Sequence, residues 1–559
     1  MVCAVALSAQ TPFVPLSEVR PGMRGTGRTV FSGDKVEEFQ AEILGVLENA
    51  GPKQSIILAR LSGGPLAQAG VLQGMSGSPV YINGRLLGAV AMAFPFSTEP
   101  VAGIRPIEEM LRPGGRLMRA QRLEELARAR EDLATGPARM TDIATPLTLA
   151  GFTRRTVEQF APQLRSLGLE PVQGILGGGR PGPAMGDPRR LPPGSMISVG
   201  LMTGDLSVGA EGTLTHVDGK RVYAFGHRFL SIGETELPFA RAEVLTLVPN
   251  LSTSFKISSA REWMGAITSD RSTAVTGELG RRASLVPVSV DLETGPKYRL
   301  EVARDRLLTP FLVQMATYAV IDATERVSGA ATVSVNGRLE FESGPPIPIR
   351  NIYSADTAAS LGASLAAAVP LNYATQTGLP EFRVKSVSMT IGVREEKRQV
   401  QLDGLWVSRA TARPGESIDI HVALTGPGGA EVRKKAVWRV PLGAALGPVQ
   451  ITAADAVTTN VAEFGTTVLQ PPSTAAQVRT LLGGLRANDT LTVRVLRSEP
   501  GFVVQGQTLN SPPPSLVLLL RRSPGSAIPN AATKLAEFDL PVDGYVVSGS
   551  KTIQVEVKE

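Results

Sequence analysis

The sequence predicts a mainly β protein, with two β-barrel halves separated by a helical insertion, then a β-sandwich and a small β-rich C-terminal region. Three observations lead there. Of 559 residues, 58 are glycine and 42 proline, while aromatics make up 5%, the texture of many short strands joined by turns. Apolar runs of strand length, bounded by Gly, Pro, Asn-Gly or Asp-Gly, recur along the chain. Third, Gly74-Met75-Ser76-Gly77-Ser78-Pro79 runs straight into an apolar strand that reverses at Asn83-Gly84. That pair suits a type I′ hairpin, whose two central residues both need positive φ.

In chain order, residues 1–10 read as the tail of a signal peptide: a short apolar run with the small residue Ala9 placed for cleavage. They imply export to the periplasm or the cell exterior. Residues 11–112 form the first half, with strands over 39–46, 55–61 and 86–94. Gly22-Met23-Arg24-Gly25-Thr26-Gly27 has the wrong order for a dinucleotide fingerprint and no strand before it, so it reads as a turn. Residues 113–193 are the insertion and linker. A helix over 116–131 lines up Leu117, Leu123 and Leu126, with opposite charges three and four apart. A second helix is expected over 153–167, followed by a Gly- and Pro-rich linker over 174–194.

Residues 194–350 form the second half. Asp218-Gly219 turns one strand into another that ends at Ala224-Phe225-Gly226-His227. A helix is expected over 309–323 and a hairpin at Asn336-Gly337. Residues 351–383 are an Ala-rich connector, helical over 354–368. Residues 384–465 read as an immunoglobulin-like sandwich, with turns at Asp403-Gly404, Pro414-Gly415 and 426–429. In the last region, 466–559, Thr474-Ala475-Ala476-Gln477 fits a capping box opening a helix, and β pattern follows residue 488.

Chemistry concentrates at Ser76. Glycine at 74 lets the backbone turn so that successive N–H groups face one point, while Ser76 is held with its hydroxyl outward. The amides of Gly74 and Ser76 could then stabilise a tetrahedral oxyanion, as the nucleophile loop of a double-barrel serine peptidase requires. The chain has only three histidines, His216, His227 and His421, so a serine mechanism has few candidates for its base. His227 stands at a strand end where a loop begins. His216 reads as a sheet-surface residue and His421 as structural.

The wording of the serine stretch resembles the SpoIVB-type serine peptidases, family fifty-five of the serine peptidases, in the chymotrypsin-like clan. The resemblance rests on Gly74 to Pro79, then Asn83-Gly84-Arg85-Leu86-Leu87-Gly88-Ala89-Val90, with the Glu-Glu-Phe-Gln-Ala-Glu-Ile-Leu run over 37–44. Ala224-Phe225-Gly226-His227 resembles the family's histidine motif and continues loosely through 243–246 and 264–270. This implies a chymotrypsin-like double β-barrel and a serine endopeptidase acting on proteins or peptides. Ser76 would be its nucleophile and His227 its base. In the family the histidine half precedes the serine half; here the order is reversed, which reads as a permutation, and a triad is defined by geometry rather than chain order. The family's acid upstream of the serine falls on Leu61. Asp270 has the spacing from His227 that chymotrypsin-clan barrels give their acid, with Asp205, Glu234 or a Ser/His dyad as alternatives. The departures also fit a catalytically inactive relative serving as a cell-envelope binding or scaffold protein. No PDZ pattern accompanies the motifs.

Other classes are disfavoured. The net charge of +6 is spread thinly, and the arginine clusters at 116–130 and 180–190 lack interleaved aromatics, so no nucleic-acid partner is expected. Three scattered histidines and one cysteine, Cys3, give no metal-ligand spacing, and no metal or other cofactor is expected. Beyond the opening segment no run of about 18 apolar residues predicts a membrane-spanning helix.

Overall fold

A computed structural model describes residues 12–51, 54–94, 96–97, 99–112, 140–174, 182, 184–250, 254–324, 329–429, 431–469, 471–498, 501–504, 507–509, 512–522, 527–530 and 532–559. The segment 1–10 and the helix expected over 116–131 lie outside them. The protein is mainly β. It divides into two compact units, Met1–Val286 with Leu300–Leu308, and Pro287–Arg299 with Thr309–Glu559.

The first unit opens with β1 (Arg24–Val30), β2 (Val36–Gly51), β3 (Gln54–Ser62), β4 (Pro79–Ile82), β5 (Arg85–Ala93) and β6 (Val101–Pro106). Antiparallel pairing runs β1–β2–β3–β6–β5–β4 and returns from β4 to β1. The sheet closes on itself, which removes its edges. Apolar positions alternate inward, and Phe39, Ile43, Ile57, Leu61, Val80 and Ile104 meet in the interior. Between β4 and β5, Asn83 and Gly84 take φ of 50° and 77°, as the hairpin reading requires. Two short helices follow the pattern breaks, α1 (Leu66–Ala69) and α2 (Ile107–Leu111), and β7 (Thr141–Asp142) pairs with Met92 and Ala93 of β5.

A second ring follows β8 (Thr145–Ala150), α3 (Arg154–Ser166) and β9 (Leu169–Gln173). Its strands are β10 (Met196–Gly204), β11 (Ser207–Asp218), β12 (Arg221–Ala224), β13 (Gly233–Val248), β14 (Phe255–Asp270) and β15 (Val275–Leu279). Antiparallel pairing runs β10–β13–β14–β15–β12–β11 and returns to β10. Helix α3 matches the expected 153–167, and Thr153 caps it by accepting the Thr156 N–H at 3.1 Å.

In the second unit, the helix expected over 309–323 is Leu308–Thr324. The Ala-rich helix is Ala359–Gln376 rather than 354–368. Ser354 and Ala355 instead finish the strand Ile347–Ala355, drawn into pairing with Thr332 and Ala331. No hairpin forms at Asn336-Gly337. Both residues sit mid-strand in Ala331–Phe341, paired on one side with Arg350 and Ile349 and on the other with Thr390 and Met389. Glycine serves close approach there, because a Cβ at 337 would lie 2.1 Å from the Ser388 carbonyl oxygen. Asp403-Gly404 likewise falls within the strand Gln399–Val407, at a bulge rather than a turn. Pro414-Gly415 does turn, with Gly415 at φ 90°.

Val384–Arg394, expected to begin the sandwich, pairs instead with Ala331–Phe341 and, in parallel, with Leu285–Leu292. Two further sheets enclose one apolar core containing Val400, Ile420, Val422, Ile451, Val493 and Val555. The C-terminal strands Val546–Ser548 and Ser550–Val557 contribute one to each sheet. The capping box at Thr474 and Gln477 opens the helix Ala475–Gly483.

Candidate active site

The serine loop is the short connection between α1 and β4, and its backbone is held from both rings. Gly77 N–H donates to the Val90 carbonyl at 2.7 Å, and Val90 N–H to the Ser78 carbonyl at 2.9 Å, which anchors the loop to β5. From β11, Thr213 N–H donates to the Ser76 carbonyl at 2.8 Å, Thr213 Oγ1 to the Gly74 carbonyl at 2.8 Å and Thr215 Oγ1 to the Gly77 carbonyl at 2.7 Å. Gly77 has φ 96°, and a Cβ there would lie 1.9 Å from the Thr213 carbonyl oxygen. Only glycine fits that combination of left-handed backbone and close approach.

The loop's own amides divide into two sets. Those of Met75, Gly77 and Ser78 are committed to the carbonyls of Leu72, Val90 and Met75. Those of Gly74 and Ser76 donate to no acceptor among the described residues. The two candidate oxyanion donors are therefore the amides left over. The side chains are enclosed: Ser76 and Ser78 are 0% exposed, and neither Oγ has a hydrogen-bond partner among the described residues. An unpaired buried hydroxyl costs roughly 1–3 kcal/mol, so such a group calls for a reason.

The histidine loop leaves β12 through two residues of positive φ, Phe225 at 68° and Gly226 at 70°. A left-handed phenylalanine is strained; its ring is wholly buried and its N–H donates to the Thr213 carbonyl at 3.3 Å. Gly226 presses on β5, where a Cβ would lie 3.1 Å from Ala89 Cβ, 3.2 Å from Ala91 Cβ and 3.3 Å from the Val90 oxygen. Ser76 and His227 thus come from different rings to the same three residues of β5. His227 is buried, and its Nδ1 lies 2.6 Å from the Arg228 carbonyl oxygen. A carbonyl only accepts, so Nδ1 carries the proton and Nε2 keeps its lone pair. Nε2 has no partner. Burial lowers the imidazole pKa; Asp142 is the strongest charge opposing that, and Arg105 reinforces it.

The other expected acids stand differently. Asp270 ends β14 with a fully buried carboxylate, which accepts the N–H groups of Phe229 at 2.8 Å, Leu230 at 2.6 Å and Ile232 at 3.3 Å. Burial raises its pKa against those amides. Nδ1 of His227 is held by a backbone carbonyl, and Asp270 is spent on the loop that follows the histidine. Its hydrogen bonds therefore shape that loop rather than grip the imidazole. Asp205 and Glu234 are exposed, at the β10–β11 turn and the start of β13. Leu61 is buried in the first ring's core. His216 is half-buried, edge-on to Phe13 and stacked near Tyr223, and His421 stacks on Trp406 at 5.5 Å between ring centres.

Several groups around the site gave no motif in the sequence. Arg105, on β6, is buried with Glu109 in an ion pair at 3.2 Å, and its Nε reaches the Gly226 carbonyl at 3.4 Å. Lys256 lies buried beside Gly74; its Nζ donates to Thr29 Oγ1 at 2.8 Å, and burial pushes its pKa down to about 7. Glu211, on β11, accepts from Ser198 at 3.0 Å and Ser258 at 2.7 Å, and burial pushes it up to about 7. Along β11 the residues from Ala210 to Thr215 are all buried, so no in–out alternation marks Glu211 as a buried charge.

Two closed antiparallel rings define the class, a mainly β protein, with a glycine-flanked serine on one ring and a strand-end histidine on the other. Residues 8–111 match the SpoIVB peptidase S55 family model, so that segment is similar to the SpoIVB-type serine peptidases. The match covers the first ring and Ser76 and ends before His227. No curated protein and no solved structure matches the chain. Among the described residues no helix is long and apolar enough to cross a membrane.

Proposed function

We propose that the chain is an exported SpoIVB-like serine endopeptidase that hydrolyses peptide bonds through Ser76 and His227, on a chymotrypsin-like double barrel with permuted halves and an immunoglobulin-like sandwich appended. One observation carries this reading. Two strand connections about 150 residues apart in sequence meet the same stretch, Ala89 to Ala91, and each brings a buried reactive atom with no partner among the described residues, Ser76 Oγ and His227 Nε2. His227 Nε2 takes the Ser76 proton as Oγ attacks the substrate carbonyl, and the amides of Gly74 and Ser76 receive the oxyanion. The imidazolium returns its proton to the leaving amine, and water releases the acyl group by the same steps in reverse.

Ser76 is fully enclosed and Nε2 makes no hydrogen bond to it, so this geometry is a closed state that substrate must open. Enclosure also favours the second reading, a catalytically inactive relative that keeps the peptidase frame as an envelope scaffold. A fluorophosphonate probe separates them. The peptidase reading expects labelling of the wild type and none of S76A, with H227A slowing hydrolysis of a protein substrate by several orders of magnitude. A folded wild type that labels no better than S76A makes the scaffold the correct reading.

A further inference from the structure

A serine–histidine pair works best when a carboxylate fixes the imidazole and supports its cation. β7 offers one that no motif announced. Asp142 lies opposite Met92, and the next residue, Ile143, donates its N–H to the Ala91 carbonyl at 3.0 Å. Asp142 therefore reaches the end of the same β5 stretch that carries Gly77 and Gly226. Its carboxylate meets Arg228 Nε at 3.5 Å, a long pairing between side chains that are each about one-third exposed (34% and 38%). The residue that holds Asp142 by its guanidinium also holds His227 Nδ1 by its carbonyl, at 2.6 Å.

The charges acting on His227 are Asp142 on β7, Asp270 on β14 and Arg105 on β6, and Arg228 follows it directly in the chain. Asp270 is committed to three loop amides, and Arg105 to Glu109, Gln54 and the Gly226 carbonyl. Among the described residues, the only ion pair of Asp142 is the loose contact with Arg228.

Resting on the Ser76/His227 reading, we propose that Asp142 is the positioning carboxylate for His227, masked in the closed state by Arg228. When the site opens, the Arg228 side chain turns to solvent, and Nδ1–H passes from the Arg228 carbonyl to the Asp142 carboxylate. The Nδ1 proton stays on the ring throughout. Nε2 alone gains a proton from Ser76 and gives it up to the leaving amine, while Asp142 remains ionised beside the imidazolium.

The test follows fluorophosphonate labelling of Ser76 against pH, together with the NMR titration of the His227 ring, in the full chain. A negative neighbour favours the charged imidazole, so removing it lowers the His227 midpoint and moves the acid limb of labelling to lower pH. D142N is expected to slow labelling by roughly 10²–10⁴-fold and to lower the His227 midpoint, with D142E restoring part of both. R228M removes the mask and should speed labelling and raise the midpoint. D142N labelling at the wild-type rate with an unmoved midpoint overturns the proposal while leaving the peptidase reading intact. Should D142N fail to fold, an unmoved midpoint in R228M overturns it as well. A wild type that labels no faster than S76A removes the Ser76/His227 reading on which it rests.

Discussion

Of the two closed rings, the first fills its interior with Phe39, Ile43, Ile57, Leu61 and Val80, whereas the second carries Glu211, Asp270, Lys256 and the hydroxyls of Ser198, Thr213 and Ser258. Both rings have the same strand number and the same antiparallel closure. The first ring presents the serine loop, and the second clamps that loop through Thr213 and Thr215. Clamping needs hydrogen-bond donors inside. Buried polar groups are costly unless bonded, so the second ring trades stability for control of the site.

That contrast can be broken or sharpened by substitution. The largest effect is expected at the seam between the rings. G77A drives a methyl group to within 1.9 Å of the Thr213 oxygen at a φ of 96°, and should destabilise the first unit by more than about 4 kcal/mol in urea unfolding. D270N replaces an acceptor of three amides with a group that presents its own N–H to them. A loss of about 2–4 kcal/mol is expected, with proteolytic nicking appearing between 228 and 232.

E211Q tests the second ring's charge directly. The folded-state pKa is raised from 4.5 to about 7. Between those values the folded chain keeps a proton that the unfolded chain has released. Wild-type stability therefore falls as pH rises from 4.5 towards 7, and levels off above it. The variant should lose that slope and gain up to about 3 kcal/mol near neutral pH, as read from thermal unfolding at several pH values. The smallest effect belongs to T215V, which strips one hydroxyl from the Gly77 carbonyl. It should cost about 1–2 kcal/mol and speed fluorophosphonate labelling if loosening the loop opens the site.

The first ring was the more legible. Asn83-Gly84 is flanked by two strands of its own hairpin, so local sequence and tertiary pairing agree. Asn336-Gly337 and Asp403-Gly404 carry the same dipeptide signal but lie inside strands, where distant partners such as Ser388 and Ala423 decide the conformation. At the site, Ser76 and His227 were visible because glycine punctuation surrounds both. Asp270 was visible by spacing, but spacing does not reveal that its oxygens would be taken by three amides. Arg105, Lys256, Glu211 and Asp142 left no trace, since each matters only through what folds against it.

The hydroxyls of Thr213 and Thr215 also bear on biosynthesis. A ribosome working from the N-terminus releases Gly74 to Pro79 well before either threonine exists. Until β11 and β12 have emerged, the serine loop lacks the three bonds that seat its carbonyls and the imidazole that would activate it. On the proposed Ser76/His227 reading, a nascent chain is thus chemically silent for more than a hundred residues after Ser76 is made, and a recombinant fragment trimmed to the family-matched segment would inherit the same silence.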